Sequence, residues 1–284
     1  MTELNPALIE RVQATRGVIF DMDGTLVLGD AKSGGHKPLP GAIDLLKLLR
    51  RRAIPFRIFT NGTLMTPQTY AASLRHAGLD VSDGEMMTPS TSAAAWFEKR
   101  GIRKIRVLGG AGVQGPLREQ GLEVVAPSES ADGIEAIYTG WFREFTFPDL
   151  EAACHDVWAG ALLTTASNVP FFATQNGKAI GASFAINAMI RSLTGKRARV
   201  LGKPSREAMC CALGQMGIPA SAASQAIVVG DDAALEMRMA RSAGALAIAV
   251  TTGLGDRASF GGPVAAERPD LVLDGLLPMI DLLR

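Results

Sequence analysis

Short apolar runs alternate with amphipathic segments along most of the chain. The runs are rich in Val, Ile and Leu, and the segments between them place apolar residues three and four positions apart. Alternation of this kind predicts parallel β-strands connected by helices. The predicted strands cover residues 18–20, 57–59, 105–108, 134–138, 162–165, 227–229, 247–250 and 271–273.

The periodic segments also contain residues that begin and end helices. The predicted helices cover residues 40–52, 67–77, 149–159, 183–193, 205–216 and 276–283. Pro40 is predicted in the first turn of its helix, and Ser205 is predicted as an N-cap. Thr66 has the same role before Pro67, and Gly78 is the predicted stop of that helix.

The predicted elements form an outer set and an inner set. The outer set covers residues 1–85 and 196–284, and the inner set covers residues 86–195. Both sets mix strands with helices. The sequence therefore predicts an α/β protein with a doubly wound parallel-sheet core and a second, inserted α/β domain.

Composition narrows the class of protein. The 284 residues are 47% hydrophobic and 20% charged, with a formal net charge of +1, so neither disorder nor a nucleic-acid or anionic-membrane surface is indicated. Residues 1–17 have no apolar stretch, and no run approaches the ~18 residues of a membrane helix. The three cysteines lack metal or redox spacing. We expect a cytoplasmic protein.

Polar side chains follow several of the predicted strands directly. They are Asp21 and Asp23, then Thr60 and Asn61, then Asp231 and Asp232, with Lys203 in a Gly-Lys-Pro turn between the last two groups. Ligands of open parallel sheets bind outside the carboxyl ends of the strands. A set of carboxylates, a hydroxyl and an ammonium at such ends suits a divalent cation that faces an anion.

The first of these segments has the chemistry of phosphoryl transfer. One carboxylate of Asp21 and Asp23 could attack phosphorus, and the other could pass a proton to the leaving oxygen. Mg²⁺ prefers oxygen ligands and is commonly bound by one or two carboxylates plus a phosphate. Lys203 would neutralise the transferred group, and Thr60 would donate a hydrogen bond to it.

Four short motifs carry a family resemblance. Asp21-Met-Asp-Gly-Thr, Thr60-Asn-Gly, Gly202-Lys-Pro and Gly230-Asp-Asp resemble, in this order, the four motifs of the haloacid dehalogenase superfamily. The long insert between the second and third motifs resembles the type IIA cap of the NagD-type phosphatase branch. The resemblance spans residues 18–283.

The resemblance implies Mg²⁺-dependent hydrolysis of a small phosphate monoester through an aspartyl-phosphate. The substrate classes it implies are nucleotides, sugar phosphates, glycolate or glycerol phosphates and pyridoxal phosphate, with a homodimer as a candidate assembly. By this resemblance Asp21 is the nucleophile and a metal ligand, Asp23 is the general acid/base and a ligand through its carbonyl, and Asp231 is the third ligand. Thr60, Asn61, Gly62 and Lys203 bind the phosphoryl group. The insert is a substrate-specificity cap.

The sequence departs from the family pattern in two places. Glu236 stands where the family usually has an aspartate, so Glu236 and Asp232 are candidates for supporting the metal from outside its direct ligands. Phe142 stands where the cap often has an aspartate. Arg143 and Asn168 flank an aromatic cluster and are candidate substrate contacts in the cap.

Two other functions remain open on the sequence. Residues from Gly110 to Gly115 form a GxGxxG pattern after a predicted strand, the context of NAD(P) binding by an oxidoreductase. Pro116 follows directly and counts against that interpretation, because the fingerprint requires a helix there. The second alternative, motivated by Glu236, is a phospholigand-binding protein without turnover.

Overall fold

A computed structural model describes residues 5–30, 35–174, 177–253 and 255–284. Residues 1–4, which the sequence analysis assigned to the outer domain, lie outside this part. The strands are β1 Gly17–Phe20, β2 Val27–Asp30, β3 Gly35–Pro38, β4 Phe56–Phe59, β5 Met86–Met87, β6 Lys104–Leu108, β7 Glu123–Val125, β8 Ala136–Thr139, β9 Leu162–Thr165, β10 Phe171–Thr174, β11 Gly177–Ile180, β12 Arg199–Val200, β13 Ala226–Gly230, β14 Leu246–Val250 and β15 Leu271–Leu273. The helices are α1 Pro6–Gln13, α2 Ala42–Arg51, α3 Pro67–His76, α4 Pro89–Lys99, α5 Ala111–Glu119, α6 Phe147–Trp158, α7 Ala182–Thr194, α8 Arg206–Gln215, α9 Arg238–Ala243 and α10 Leu277–Leu282.

The chain forms two compact units. The first contains the described residues of Met1–Thr60, Gln68–Met87 and Met209–Arg284, and the second contains Asn61–Pro67 and Thr88–Ala208. The predicted insert, 86–195, ends earlier than the second unit does. The reason is β12, which pairs with β9 and so belongs to the sheet of the second unit.

The first unit is built on a parallel sheet of six strands in the order β15-β14-β13-β1-β4-β5. Each residue of β1 and β13 is buried, which explains why these strands read as continuous apolar runs rather than as an alternating pattern. From β1 the chain adds β4 and β5 on one side, and from β13 it adds β14 and β15 on the other. The order of strands therefore reverses between β1 and β13.

The second unit has a parallel sheet of its own, in the order β12-β9-β8-β6-β7. A core cluster that includes Phe97, Val107 and Tyr138 packs around β6 and β8, and a second cluster includes Leu150, Val157 and Ile190 of α6 and α7. The strand order reverses here as well, between β6 and β8. Both sheets are doubly wound.

Each predicted strand is present, with ends that shift by one or two residues. The helix predicted from Pro40 begins at Ala42 instead, because Gly41 precedes it with a left-handed φ of 87°. The helix predicted from Asp149 begins earlier, at Phe147, since Thr146 and Asp149 form a capping box. The hairpins β2–β3 and β10–β11 were not predicted. Among the described helices, none combines the length and apolar character needed to span a membrane.

Arg106 is a buried cation inside the second unit. Its Nε donates to Asp156 Oδ2 at 2.5 Å, and Nη1 donates to the carbonyl oxygens of Ala126, Pro127 and Glu129 at 2.8–3.0 Å. The Arg106 side chain is 3% exposed. One guanidinium therefore neutralises Asp156 of α6 and holds the chain that leaves β7.

We predict that Arg106→Met lowers the free energy of unfolding by about 3–5 kcal/mol, because it leaves the Asp156 carboxylate buried without its cation. Urea denaturation followed by circular dichroism measures the change. Arg103→Met, at an exposed position three residues earlier, is the control and shifts the midpoint little. An Arg106→Met protein as stable as wild type would contradict this role.

Glu85 and Arg50 form the corresponding pair in the first unit. Burial alone would raise the pKa of Glu85, but hydrogen bonds from Arg50 and Ser82 outweigh it and hold the pKa below its ordinary value of 4.5. The two Arg50–Glu85 bonds measure 2.5 and 2.6 Å. A carboxylate whose pKa is depressed by folding contributes stability above its ordinary pKa and loses it as the pH falls through the folded value.

We therefore expect Glu85→Gln to destabilise the protein at pH 6–7, with a difference from wild type that shrinks as the pH falls below about 4.5. Denaturation midpoints measured between pH 3 and pH 7 test this. Arg50→Met removes one of the two donors and is expected to weaken the same pH dependence, while Ser82 still donates to Glu85. A pH dependence that is unchanged in Arg50→Met would show that the pair is not its source.

Candidate active site

Three polar side chains lie at the carboxyl ends of adjacent strands in the first unit. Asp21 follows β1, Asp231 follows β13 and Thr60 follows β4, and all three side chains are buried. The pairing is in register, since Phe20 lies opposite Val229 and the Asp21 N–H donates to the Val229 carbonyl at 2.8 Å. The sequence-based expectation that these strand ends meet is therefore realised by the pairing of β1 with β13 and β4.

The two carboxylates also lie at the reversal of strand order. In open α/β sheets the loops diverge at such a point and leave a crevice, which is where ligands bind. Asp21 and Asp231 are 8% and 4% exposed. Two carboxylates with so little exposure at adjacent strand ends suit a divalent cation, which would offset their like charge.

The surroundings of Asp231 are shaped by two glycines. A Cβ added to Gly24 would lie 2.4 Å from Asp231 Oδ2, and one added to Gly253 would lie 1.9 Å from the same oxygen. The Thr252 hydroxyl donates to the Gly24 carbonyl at 2.6 Å and joins the two loops. Only glycine at both positions leaves this carboxylate oxygen its space.

These donors fit a magnesium ion. Among the described residues, His, Cys, Asp and Glu side chains form no group of three or more that could hold a metal. The predicted set instead comprises the carboxylates of Asp21 and Asp231 with the carbonyl of Asp23. Hard oxygen donors in this small number suit Mg²⁺, which keeps several waters and takes further ligands from its substrate.

Asp23 has a neighbour that the sequence analysis missed. Its side chain is 57% exposed, and Oδ1 lies 3.8 Å from Nε2 of His36 on β3. The other ring nitrogen of His36 lies 2.8 Å from the Ser73 hydroxyl of α3, and burial lowers the pKa of His36. His36 carried no sequence signal, because the β2–β3 hairpin that delivers it has no clear apolar pattern.

Asp232 and Glu236 are engaged with the backbone after β13. Asp232 Oδ1 accepts from the N–H groups of Ala234 and Leu235 at 2.7 and 3.2 Å, so Asp232 caps the π-helical turn Ala233–Met237. Glu236 is 1% exposed, and its Oε2 accepts from the Asp232 N–H at 3.2 Å. These contacts give both residues a part in holding the loop that carries Asp231.

Lys203 lies in the second unit, where Asn61 holds its backbone. Asn61 Oδ1 accepts from the Lys203 N–H at 2.9 Å, and Asn61 Nδ2 donates to the Lys203 carbonyl at 3.0 Å. Gly202 permits this approach, since a Cβ there would lie 2.8 Å from Asn61 Oδ1. Asn61, whose side chain was predicted to bind phosphate, therefore binds the backbone of Lys203, the residue that carries the ammonium group.

Residues 61–67 continue through the second unit and cross the end of its sheet. A Cβ on Gly112, in the first turn of α5, would lie 2.5 Å from the Thr63 carbonyl oxygen and 2.6 Å from that of Met65. The Thr63 hydroxyl accepts from the Trp141 N–H, just after β8, at 2.9 Å. The chain itself thus lies where the strand order of this sheet reverses.

This packing explains the Gly110–Gly115 pattern. Gly112 makes room for backbone carbonyls at the place where a dinucleotide fingerprint would admit a pyrophosphate, so the structure gives no support to NAD(P) binding here. Pro116 does not count against a helix here, contrary to the prediction, because α5 continues through Pro116 to Glu119. NAD(P) binding is opposed by the backbone of residues 61–67, which fills the crevice, and not by Pro116.

The candidate cap contacts differ in their surroundings. Arg143 is exposed, with its guanidinium carbon 5.9 Å from the centre of the Trp141 ring, and Asn168 is exposed in the segment after β9. Phe142 packs against Phe145, with ring centres 6.1 Å apart, beside the α6–α7 core. The position of the family's aspartate is thus used for packing in this chain.

Two family models match the chain. One described as haloacid dehalogenase-like hydrolase matches residues 18–123, and one described as HAD-hydrolase-like matches residues 200–278. The two matches include the strand-end residues of both units, from Asp21 and Thr60 to Lys203 and Asp231.

Individual proteins are similar over nearly the whole chain. Phospholysine phosphohistidine inorganic pyrophosphate phosphatase of Rattus norvegicus is 26% identical over 281 residues, covering 98% of this chain and 97% of the relative. The structure of glycerol phosphate phosphatase from Mycobacterium tuberculosis in complex with magnesium is 25% identical with a TM-score of 0.81, covering 95% of this chain and 77% of that one. NagD from E. coli K-12 shares the fold, with 22% identity and a TM-score of 0.79 over 92% of this chain and 97% of its own.

The matched models contain the strand-end motifs, and the fold shared with NagD extends over both units. The chain therefore belongs to the haloacid dehalogenase-like hydrolases, and it shares the fold of NagD.

Proposed function

We propose that this chain hydrolyses small phosphate monoesters with Mg²⁺, through a phosphorylated Asp21. The observation that carries the proposal is the pair of buried carboxylates, Asp21 and Asp231, at the reversal of strand order in the first sheet. Such a pair is poised to hold a cation, and a cation there would draw a phosphate dianion to the nucleophile. Similarity to phosphatases of pyrophosphate and of glycerol phosphate supports a small substrate.

Asp21, Asp231 and the Asp23 carbonyl would hold the metal. When bound, Mg²⁺ supplies positive charge that offsets the phosphate oxygens and lets the Asp21 carboxylate approach phosphorus. The glycines at positions 24 and 253 leave room for the Asp231 oxygen, because a side chain at either would collide with it.

Asp21 begins the reaction as the nucleophile. One carboxylate oxygen forms a bond to phosphorus while the bond from phosphorus to the ester oxygen breaks. Asp23 donates a proton to that leaving oxygen, which departs as an alcohol. Asp23 then takes a proton from water, the water oxygen bonds to phosphorus, and the Asp21–phosphorus bond breaks to release inorganic phosphate. The partly exposed position of Asp23 gives it access to that water.

Thr60 and Lys203 would hold the transferred group. The Thr60 hydroxyl donates a hydrogen bond to a phosphoryl oxygen, and the Lys203 ammonium offsets the charge that spreads over the equatorial oxygens. Asn61 acts through Lys203 by fixing its backbone on both sides. Glu236 accepts a hydrogen bond from the backbone of the loop that carries Asp231. Its presence therefore favours a structural role for Glu236 over a loss of turnover.

We predict that Asp21→Asn lowers phosphate release by roughly a thousandfold or more, since an amide cannot take the place of the nucleophile. A panel of monoesters that includes p-nitrophenyl phosphate is assayed with Mg²⁺ and with EDTA. EDTA is expected to abolish turnover of the wild type. Asp44→Asn, at an exposed position of α2, is the matched control and retains activity.

Silence of the folded wild-type protein across the panel would overturn the phosphatase proposal and favour a phospholigand-binding protein. Thermal stabilisation by phosphate esters without phosphate release would then identify that alternative. Turnover retained by Asp21→Asn would overturn only the assignment of Asp21 as the nucleophile and would leave the phosphatase activity in place.

We also predict that Asn61→Ala lowers kcat by about tenfold or more, because a displaced Lys203 stabilises the transition state less well. In a Lys203→Ala background the same change is expected to cost less than about twofold, since the group it positions is gone. The cycle is measured as kcat for one ester, with thermal unfolding as a check on folding.

Gln114→Ala is the matched control for this cycle. Gln114 also binds the backbone through its amide, with Nε2 donating to the Gly109 carbonyl at 2.7 Å, but it has no such bond to Lys203. Its effect is expected to add to that of Lys203→Ala. Additive losses for Asn61→Ala as well would show that Asn61 does not act through Lys203.

A further inference from the structure

His36 lies in the first unit between α3 and the loop that follows β1. It is carried by β3, which pairs antiparallel with β2 and places His36 opposite Gly29. Its Nδ1 lies 2.8 Å from the Ser73 hydroxyl oxygen of α3, and its Nε2 lies 3.8 Å from Asp23 Oδ1. The His36 side chain is 12% exposed, whereas that of Asp23 is 57% exposed. The ring is therefore held at one nitrogen and turns the other toward the proposed general acid.

The contact with Ser73 bears on which ring nitrogen carries the proton. A neutral imidazole has one donor and one acceptor nitrogen. When the Ser73 hydroxyl donates to Nδ1, the ring proton lies on Nε2 and faces an oxygen of the Asp23 carboxyl group, which can accept it. The opposite tautomer would turn the Nε2 lone pair toward an oxygen that also carries lone pairs. The surroundings of the ring therefore favour an N–H directed at Asp23.

A donor at this place bears on the orientation of the Asp23 carboxyl group. Either carboxyl oxygen could carry the proton for the leaving group, and an N–H that approaches Oδ1 leaves Oδ2 for that task. The Oδ2–H bond then breaks as the proton passes to the leaving oxygen, and its electron pair stays on Asp23. The distance of 3.8 Å exceeds the roughly 2.7–3.2 Å of a hydrogen bond. Because Asp23 is the exposed partner, a rotation of its side chain would close the gap.

We propose, on the basis of the phosphatase activity proposed above, that His36 is a positioning residue for Asp23. Its ring, fixed by Ser73, donates from Nε2 to Asp23 Oδ1 and directs Oδ2 toward the leaving oxygen. In this role His36 acts only through Asp23, so its loss weakens proton transfer and leaves the nucleophile Asp21 in place. Protonation by an acid matters most for a basic leaving oxygen and least for one that departs readily as an anion.

The test compares two esters that need the acid to different degrees. p-Nitrophenyl phosphate releases a phenolate that is stable as an anion, whereas benzyl phosphate releases an alkoxide that must be protonated. The kcat/KM of each ester includes the transfer to Asp21, in which the leaving oxygen departs. His36→Phe keeps a ring but lacks both nitrogens. With Mg²⁺, we expect it to lower kcat/KM by about tenfold or more for benzyl phosphate and by less than about threefold for p-nitrophenyl phosphate.

Two amide variants separate the positioning of Asp23 from the attachment of the hairpin to α3. The amide of His36→Asn lies near the place of Nδ1, so it can keep the bond to Ser73 while leaving no donor beside Asp23. It is expected to lose activity on benzyl phosphate as His36→Phe does. The amide of His36→Gln extends to the place of Nε2 and is expected to hold the ratio of the two kcat/KM values within about threefold of wild type.

His76→Phe, at an exposed position of α3, is the matched control and is expected to leave that ratio unchanged. Thermal unfolding checks that each variant is folded, and His36→Asn decides the question if His36→Phe is not. A wild-type ratio in His36→Asn would overturn the proposal and assign His36 to anchoring the hairpin alone. Equal losses for the two esters in the folded His36 variants would also overturn it.

The behaviour of the wild type separates this proposal from the phosphatase activity on which it rests. A wild type that hydrolyses p-nitrophenyl phosphate but not benzyl phosphate would overturn the role of His36, because no acid would then serve a basic leaving oxygen. Failure of the folded wild type to hydrolyse either ester would overturn the phosphatase activity itself.

Discussion

The in-register pairing of β1 with β13 is the constraint on which the rest of the first unit depends. It places the carboxylates of Asp21 and Asp231 at neighbouring strand ends, buried and of like charge. A divalent cation bound there would offset the like charge of the two carboxylates, which is why the pair supports the proposed binding of a metal and, through it, of a phosphate dianion. Gly24 and Gly253 follow from the same constraint, because no side chain fits beside the Asp231 oxygen.

A single short segment organises the second unit in a comparable way. Directly after Thr60, residues 61–63 hold the Lys203 turn through Asn61 and the Trp141 turn through Thr63. The same segment lies against Gly112, in the crevice that a doubly wound sheet otherwise offers to a ligand. The second sheet thus resembles a nucleotide-binding fold in topology while its own chain takes the ligand's place.

The fold was largely predictable because its central strands are buried on both faces. Such strands read as continuous apolar runs, and the residues just beyond them are polar. The hairpins β2–β3 and β10–β11 lack that signal, because each of their strands pairs with its hairpin partner and is not a strand buried on both faces. His36 was missed with the first of them. The second unit continues beyond the predicted boundary at residue 195, because β12 is two residues long and belongs to a sheet whose other strands come much earlier in the chain.

The sequence by itself determined which chemical groups stand at the strand ends and in what order, because each follows directly from a local apolar run. It also determined the family, through four motifs in their order. Only the tertiary structure decided what those groups touch. Asn61 meets Lys203 across 142 positions, Asp232 turns to cap the next helical turn, and Gly112 faces backbone instead of a cofactor. These partners depend on the order of strands and on the approach of distant segments, which no local pattern encodes.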